Sequence, residues 1–367
     1  MTRYAHITGW GMAVPEKILS NGELSSMVET SDEWIISRTG IRERRIAAPD
    51  ETTASLAADA AIKALSVANL RPIDVDLIIV STSSPEHIFP ASACLVQDQI
   101  GAIKAGAFDL SAACSGFIFA LNMATQAIRS GSIENALIIG AETLSRFVDW
   151  KDRNTCILFG DGAGAFVLQA DDEPGGVLSA VMHSDGSGED LLSLPAGGSR
   201  IPTSTESVKN GLHYIHMNGR EVFRFATRVM VQATRESLEA AGLELNNIQL
   251  LIPHQANQRI IETAARGLDY PLEQVVINLD RYGNTSTASI PIATCEAIEQ
   301  GRLKPDDNVV FVGFGGGLTW GAAVVKWTSP FPVRFKVRPG RYRYLARLRS
   351  WLSKLRRTLE GLIWGRG

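Results

Sequence analysis

Short runs of aliphatic and β-branched residues alternate along this chain with stretches whose apolar positions recur at helical spacing. Val75–Val80, Ala136–Ile139, Ala165–Leu168, Ile248–Ile252, Val309–Val312 and Ala322–Val325 are short apolar runs, the pattern of buried strands. Thr53–Val67, Phe117–Arg129, Arg220–Ala241 and Ile260–Gly267 carry the helical period between them. Such alternation predicts a layered α/β fold with largely buried sheets. A division falls near Ala170–Gly176, where DDEPGG reads as a turn or linker. The two parts share a loose plan. Each has a strand that ends in a polar or reactive residue before a helix, Asp109–Cys114 in the first and Pro253–Asn257 in the second. Each also has a Gly-rich turn between two strands, at 159–164 and 314–321. Identity does not align the parts, so duplication rests on layout alone.

The pattern changes beyond residue 328. Leu345, Leu348, Leu352, Leu355, Leu359 and Leu362 repeat at three- and four-residue steps, one stripe of a helix over 343–364. Arg347, Arg349, Lys354, Arg356 and Arg357 fall largely off that stripe. Residues 329–367 hold eleven Lys/Arg and one acid, Glu360, so against a whole-chain charge of −3 the preceding 328 residues carry −13. A basic amphipathic helix suits an anionic membrane surface or an acidic partner; packing on its own body or on a second copy, and a disordered tail, are the alternatives.

With 367 residues, 45% hydrophobic and 20% charged, the chain has ample core for one large domain or two ordinary ones. The four cysteines (Cys94, Cys114, Cys156 and Cys295) form no CxxC pair, which argues against a disulfide framework or a zinc site and for reduced thiols in the cytoplasm. The N-terminus has no long apolar segment of the signal-peptide kind. Two uncharged stretches reach membrane length, 110–128 and 308–325, but the polar residues of the first and the five glycines of the second fit buried core better.

Three segments carry reactive residue types. In DLSAACSGF (109–117) small residues place Cys114 just before a helix, where backbone N–H groups favour a thiolate; a buried structural cysteine fits the same segment. In LLIPHQANQRII (250–261) an apolar strand ends ahead of His254 and Asn257, and a histidine there is a natural donor or base, or a satisfied structural residue. In LDRYGNTSTASIP (279–291) Asn284 follows a glycine, a carboxamide able to donate to a developing negative charge, or merely a turn residue. The triple glycine of VVFVGFGGGLTWG (309–321) lets backbone approach a ligand closely but lacks the GK[ST] of a phosphate loop. A thiol, an imidazole and a carboxamide together are the set for thioester chemistry with carbanion formation. The cysteine would hold an acyl group. The other two would bind the thioester oxygen that turns negative when CO2 leaves a malonyl group.

Seven blocks in order, SDEWIISRTGIRERR (31–45), AACSGF (112–117), LFGDGAGA (158–165), HYIHMNGREVFRFA (213–226), PHQAN (253–257), YGNTS (282–286) and FGGGLTWG (314–321), resemble the β-ketoacyl-acyl-carrier-protein synthase III family, the initiating condensing enzymes. The likeness runs from about residue 3 to 327. It implies a five-layered αβαβα thiolase fold made of two similar halves, 1–172 carrying the cysteine and 173–328 carrying histidine and asparagine, with 329–367 as a basic amphipathic extension. By position it implies Cys114 as acyl carrier, His254 and Asn284 as the decarboxylation pair, and the N–H groups of Cys114 and Gly316 as an oxyanion hole. Trp34 and Arg153 match a sandwich for the adenine of coenzyme A, Thr30, Arg38 and Asn257 line its tunnel, and Arg259 helps receive the carrier protein. Phe89 matches a loop reaching into a partner's acyl pocket, which suits a short, acetyl-like primer.

The resemblance further implies acyl-CoA and malonyl-carrier protein as substrates, a homodimer, no cofactor or metal, and no nucleic-acid partner. The tail leaves peripheral membrane association open. The alternatives are a related thiolase-fold acyltransferase, a secondary-metabolite ketosynthase, and, remotely, a non-enzymatic binding protein acting through its tail.

Overall fold

The computed structural model describes residues 3–328 and 337–363, the side chains of 361–363 excepted. Nine strands build two sheets: β1 (Tyr4–Ala13), β2 (Leu77–Ser81), β3 (Gly106–Leu110), β4 (Asn135–Thr143), β5 (Asp161–Asp171), β6 (Gly176–Ser184), β7 (Leu250–Pro253), β8 (Asn308–Gly315) and β9 (Thr319–Lys326). Eight helices matter here: α1 (Asp32–Thr39), α2 (Thr53–Ala68), α3 (Ser92–Ile100), α4 (Gly116–Arg129), α5 (Gly219–Ala241), α6 (Gln258–Leu268), α7 (Ser289–Glu299) and α8 (Pro339–Ile363).

The first sheet runs β1-β5-β4-β2-β3, the second β7-β8-β9-β6. One plan serves both. The first strand of each half, β1 or β6, pairs antiparallel with the last, β5 or β9. That strand pairs antiparallel with its predecessor, β4 or β8, and the predecessor lies parallel to β2 or β7. The counterpart of β3 in the second half is reduced to a parallel bridge between Leu251 and Val275. The turn at 172–175 links β5 of one sheet to β6 of the other.

Helices α4 and α7 lie between the sheets and touch both, α2 with α3 covers the first sheet, and α5, with α6 packed on it, covers the second. Both faces of each sheet are therefore covered, and that is why the strands read as continuous apolar runs. This five-layer arrangement is the thiolase fold. Phe117 on α4, Phe166 on β5, Phe311 on β8 and Trp327 pack ring against ring across the middle layer, all under 3% exposed.

Three strands and two helices lack a strong sequence signal. β1 (YAHITGWGMA) is interrupted by Gly9 and Gly11, where any Cβ would strike the backbone of α2. β3 is a half-exposed edge strand of five residues whose apolar run is broken by Asp109, and β6 is polar toward its end. α3 begins after Pro90 without a side-chain cap, and α7 contains Pro291 in its first turn. The β7 run begins at Leu250, not Ile248, because Leu245–Asn247 form a helical turn before it.

Helix α8 extends the predicted 343–364 helix N-terminally, to Pro339. Leu362 of the predicted stripe, and the end of the predicted range at Trp364, lie outside the described side chains. The first half of α8 rests on α2 and α3. Ala346 is buried against Gly101, Arg343 pairs with Asp59, and Arg349 pairs with Asp98 at 3.1 Å. Residues 351–360 are all exposed.

Candidate active site

The nucleophile candidate sits where β3 hands the chain to α4. Ala113–Ser115 form a single 3-10 turn, with Ala113 at φ +46°. A non-glycine residue in that region costs about 1–3 kcal/mol and persists only where its surroundings hold it. They do. Ser115 Oγ donates to Thr319 Oγ1 at 2.8 Å, and Thr319 Oγ1 donates to the Ala112 carbonyl at 2.9 Å, tying the turn to β9. Gly315, at the end of β8, lies so close that a Cβ there would come within 2.5 Å of the Cys114 nitrogen.

Cys114 is 6% exposed, and burial pushes its thiol up to about 12 against help from the Ser286 hydroxyl. This differs from the thiolate expected at a helix N-terminus. The short helical turn offers partial positive charge, but removing the sulfur from water costs the charged form more, so the resting group is a thiol.

His254 follows β7, is 1% exposed, and its backbone N–H donates to the Val312 carbonyl at 2.8 Å. Burial holds its ring down near 3, so it is neutral. Ser289 Oγ lies 2.7 Å from His254 Nδ1 and accepts the Gln255 N–H at 3.3 Å. A Ser289 hydroxyl that donates to Nδ1 places the ring proton on Nε2, the nitrogen free of that bond. Asn284 is positioned the same way. Its Oδ1 accepts the Ser286 N–H at 2.8 Å, which turns the NH2 group the other way. Its backbone bridges to Phe159, bonding Leu158 and Gly160.

Two cavities meet at Cys114. The larger, about 840 Å³, is also lined by His254, Asn284, Phe314 and Gly315 and runs outward past Asn257, Trp34 and Arg38. The smaller, about 290 Å³, is lined by Leu144, Phe147, Phe159 and Ile215, together with Ser286 and Gly316. His254 and Asn284 line only the larger cavity, whereas Gly316 lines only the smaller.

Toward the mouth, Arg153 lies 5.2 Å from the Trp34 ring centroid and Arg38 lies 5.8 Å from it, so both cations rest on the indole itself. A purine between Trp34 and Arg153 needs about 7 Å, two stacking distances, so the guanidinium must swing outward to admit one. Asn257 caps α6 through Arg259 N–H and donates to the Arg38 carbonyl at 3.0 Å, joining the two sides of the tunnel. Thr30 Oγ1 is buried without a partner beside this region but does not line the cavity. Arg259 is exposed over Phe223, whose ring lines the larger cavity. Phe89 is 84% exposed and touches neither cavity of its own chain.

Residues without a sequence signal complete the site. Ser289 orients His254, and Arg220 lines the tunnel from the start of α5. Arg44, fully buried, donates to the Ile157 carbonyl at 2.8 Å and supports the 157–159 wall. Glu142 ends the apolar run of β4 and takes hydrogen bonds from Ser83 N–H, Ser84 Oγ and Thr82 Oγ1. Burial outweighs these donors and raises its carboxyl to about 7. A lone acid closing the strand ALIIGAE was the available clue. Among the described residues, no group of three or more His, Cys, Asp or Glu side chains is placed to hold a metal.

Comparison with known proteins agrees with this arrangement. Residues 108–186 match the family model of 3-oxoacyl-[acyl-carrier-protein (ACP)] synthase III, and residues 238–327 match the model of its C-terminal part. A β-ketoacyl-[acyl-carrier-protein] synthase III of Symbiobacterium thermophilum is 56% identical over 321 residues, covering 88% of this chain and 97% of the relative. Its counterpart in Roseiflexus sp. is 53% identical over 329 residues, covering 90% of this chain and all of the relative. The crystal structure of 3-oxoacyl-[acyl-carrier-protein] synthase III from Aquifex aeolicus superposes with a TM-score of 0.82 at 48% identity, covering 88% of this chain and all of that one.

Proposed function

The chain belongs to the β-ketoacyl-[acyl-carrier-protein] synthase III family, and on that footing we propose how its own residues divide the work. As a condensing acyltransferase of that family it initiates fatty acid synthesis, joining an acyl group from acyl-CoA to malonyl-carrier protein. The Cys114 thiol adds to the acyl-CoA carbonyl, the bond to the CoA sulfur breaks, and the thiol proton leaves on CoA. The acyl chain lodges in the smaller cavity. CoA lies along the larger one past Asn257 and Arg38 to a mouth where Trp34 and Arg153 take the adenine.

The malonyl group then enters along the same tunnel, with Arg259 helping to receive its carrier. Loss of CO2 leaves an electron pair on the adjacent carbon and negative charge on the thioester oxygen. His254 Nε2–H and Asn284 Nδ2–H donate to that oxygen. The carbon attacks the Cys114 thioester, whose own oxygen is held by the N–H groups of Cys114 and Gly316. The C–C bond forms, the C–S bond breaks, 3-oxoacyl-carrier protein leaves, and the sulfur takes up a proton from solvent. No step requires a cofactor, because acyl-CoA is a substrate.

One observation carries this division: Cys114 lines both cavities, whereas His254 and Asn284 line only the larger. The two donors are thus on the side where the second substrate arrives. The primer is short and acetyl-like. The protein works in the cytoplasm as a homodimer, paired where β3 is an open edge carrying exposed Phe108, with Ile88 and Phe89 exposed in the loop before α3. In that dimer Phe89 enters the partner's smaller cavity and shortens it.

Intact mass after exposure to acetyl-CoA tests the reading, together with CO2 release from malonyl-carrier protein. Cys114→Ala should gain no acyl mass. His254→Ala and Asn284→Ala should still acylate but lose decarboxylation by about 10²–10³ each, the usual cost of one oxyanion donor. An acylated Cys114→Ala protein, or equal loss of both steps in the donor variants, would sink the assignment.

A further inference from the structure

We infer that the exposed face of α8 is a docking surface for an anionic lipid bilayer. Leu345, Leu348, Leu352, Leu355 and Leu359 are each 42–59% exposed, and Tyr344 and Trp351 beside them are exposed too. At 100° per residue these seven side chains fall within an arc of about 120°. The centre of that arc lies roughly 160° around the helix from Ala346, the residue seated on Gly101. The helix therefore rests on the protein by one side and presents the leucines directly away from it. Nothing in its own described chain covers them.

The charges select the occupant. Arg347 and Lys354 flank one edge of the apolar arc; Arg349 and Arg356 flank the other, where Arg349 also pairs with Asp98 and Arg356 with Glu360. A sheet of anionic headgroups meets both edges at once while its acyl boundary takes the leucines, the geometry of a helix lying in a membrane surface. An acidic protein would need matching carboxylates along both edges of one apolar groove. Trp351 and Tyr344 suit the headgroup boundary, where an aromatic body and a polar tip are both accommodated. Asp59 and Asp98 beneath the helix pair with Arg343 and Arg349, which fixes the first half of the helix to the body and leaves the leucine face outward. No described helix is long and apolar enough to cross a membrane, so the contact is one of lying on the surface.

The test is co-sedimentation of the full chain with phosphatidylglycerol–phosphatidylcholine vesicles and with pure phosphatidylcholine vesicles. Two variants accompany it, Leu348→Ser/Leu352→Ser/Leu355→Ser and Arg347→Gln/Lys354→Gln/Arg356→Gln. All six positions lie away from both cavities, so condensation of soluble substrates should be unchanged. The full chain should sediment with anionic vesicles, less so as salt rises, and only weakly with neutral ones. Each variant should lower partition at least ~10-fold. The inference fails if the full chain ignores anionic vesicles or if either variant binds as well as the parent. It fails also if vesicles are ignored while the leucine variant alone loses dimer mass or carrier-protein affinity, because a second copy or an acidic protein is then the occupant.

Discussion

Replacing Glu142 by glutamine should flatten the pH dependence of stability between about pH 4.5 and 7. Burial raises the carboxyl from 4.5 to about 7 in the folded protein. In the unfolded chain it ionises near its ordinary value. Across that window the unfolded state gives up a proton that the folded state keeps, so folding weakens as pH rises. The loss is complete above the folded value and absent below the unfolded one. A difference of roughly 2.5 units at 1.36 kcal/mol each amounts to about 3 kcal/mol. The Glu142→Gln side chain has no group that titrates in this range. It would still disturb its surroundings, because its amide hydrogens face the donors Ser83 N–H and Ser84 Oγ, but that cost is the same at every pH. The reporter is therefore the slope. Urea unfolding at fixed protein concentration, from pH 4.5 to 8, should show the parent losing about 3 kcal/mol more than the variant. Parallel curves would refute the argument, because the carboxyl would then titrate alike in both states.

Two further outcomes follow from the site. Gly315→Ala puts a Cβ within 2.5 Å of the Cys114 nitrogen and 2.9 Å of the Ala113 Cβ, and both are anchored, so the nucleophile turn must shift. Acylation followed by intact mass should slow by about 100-fold, the cost of displacing a reacting group by an ångström, and an unchanged rate would show that the turn has slack. Trp34→Ala and Arg153→Ala should raise KM for acyl-CoA with kcat nearly kept, since stacking at the tunnel mouth holds ground and transition states alike. A pure kcat defect would remove both residues from the mouth.

Much of this protein was legible in its chain because the signals are local. Strands covered on both faces read as unbroken apolar runs, so β4, β5, β8 and β9 stand out; β1 and β3 do not, one interrupted by glycines and the other lying at an edge. Ordered motif blocks sufficed to place Cys114, His254 and Asn284 in one family of enzymes. The leucine spacing alone revealed an amphipathic tail helix. Non-local packing decided the rest. No window of sequence contains the approach of Gly315 to Cys114, so neither the locked turn nor the division into two cavities was readable. The thiol is protonated because burial outweighs a short helical turn, and burial is a property of all five layers together. Ser289, thirty-five positions away, occupies Nδ1 of His254 and so leaves Nε2 as the nitrogen free to face a substrate. The periodicity of the tail made one face apolar, but which face meets the body was settled by Ala346 against Gly101, a contact across 245 positions that leaves the leucines to the solvent.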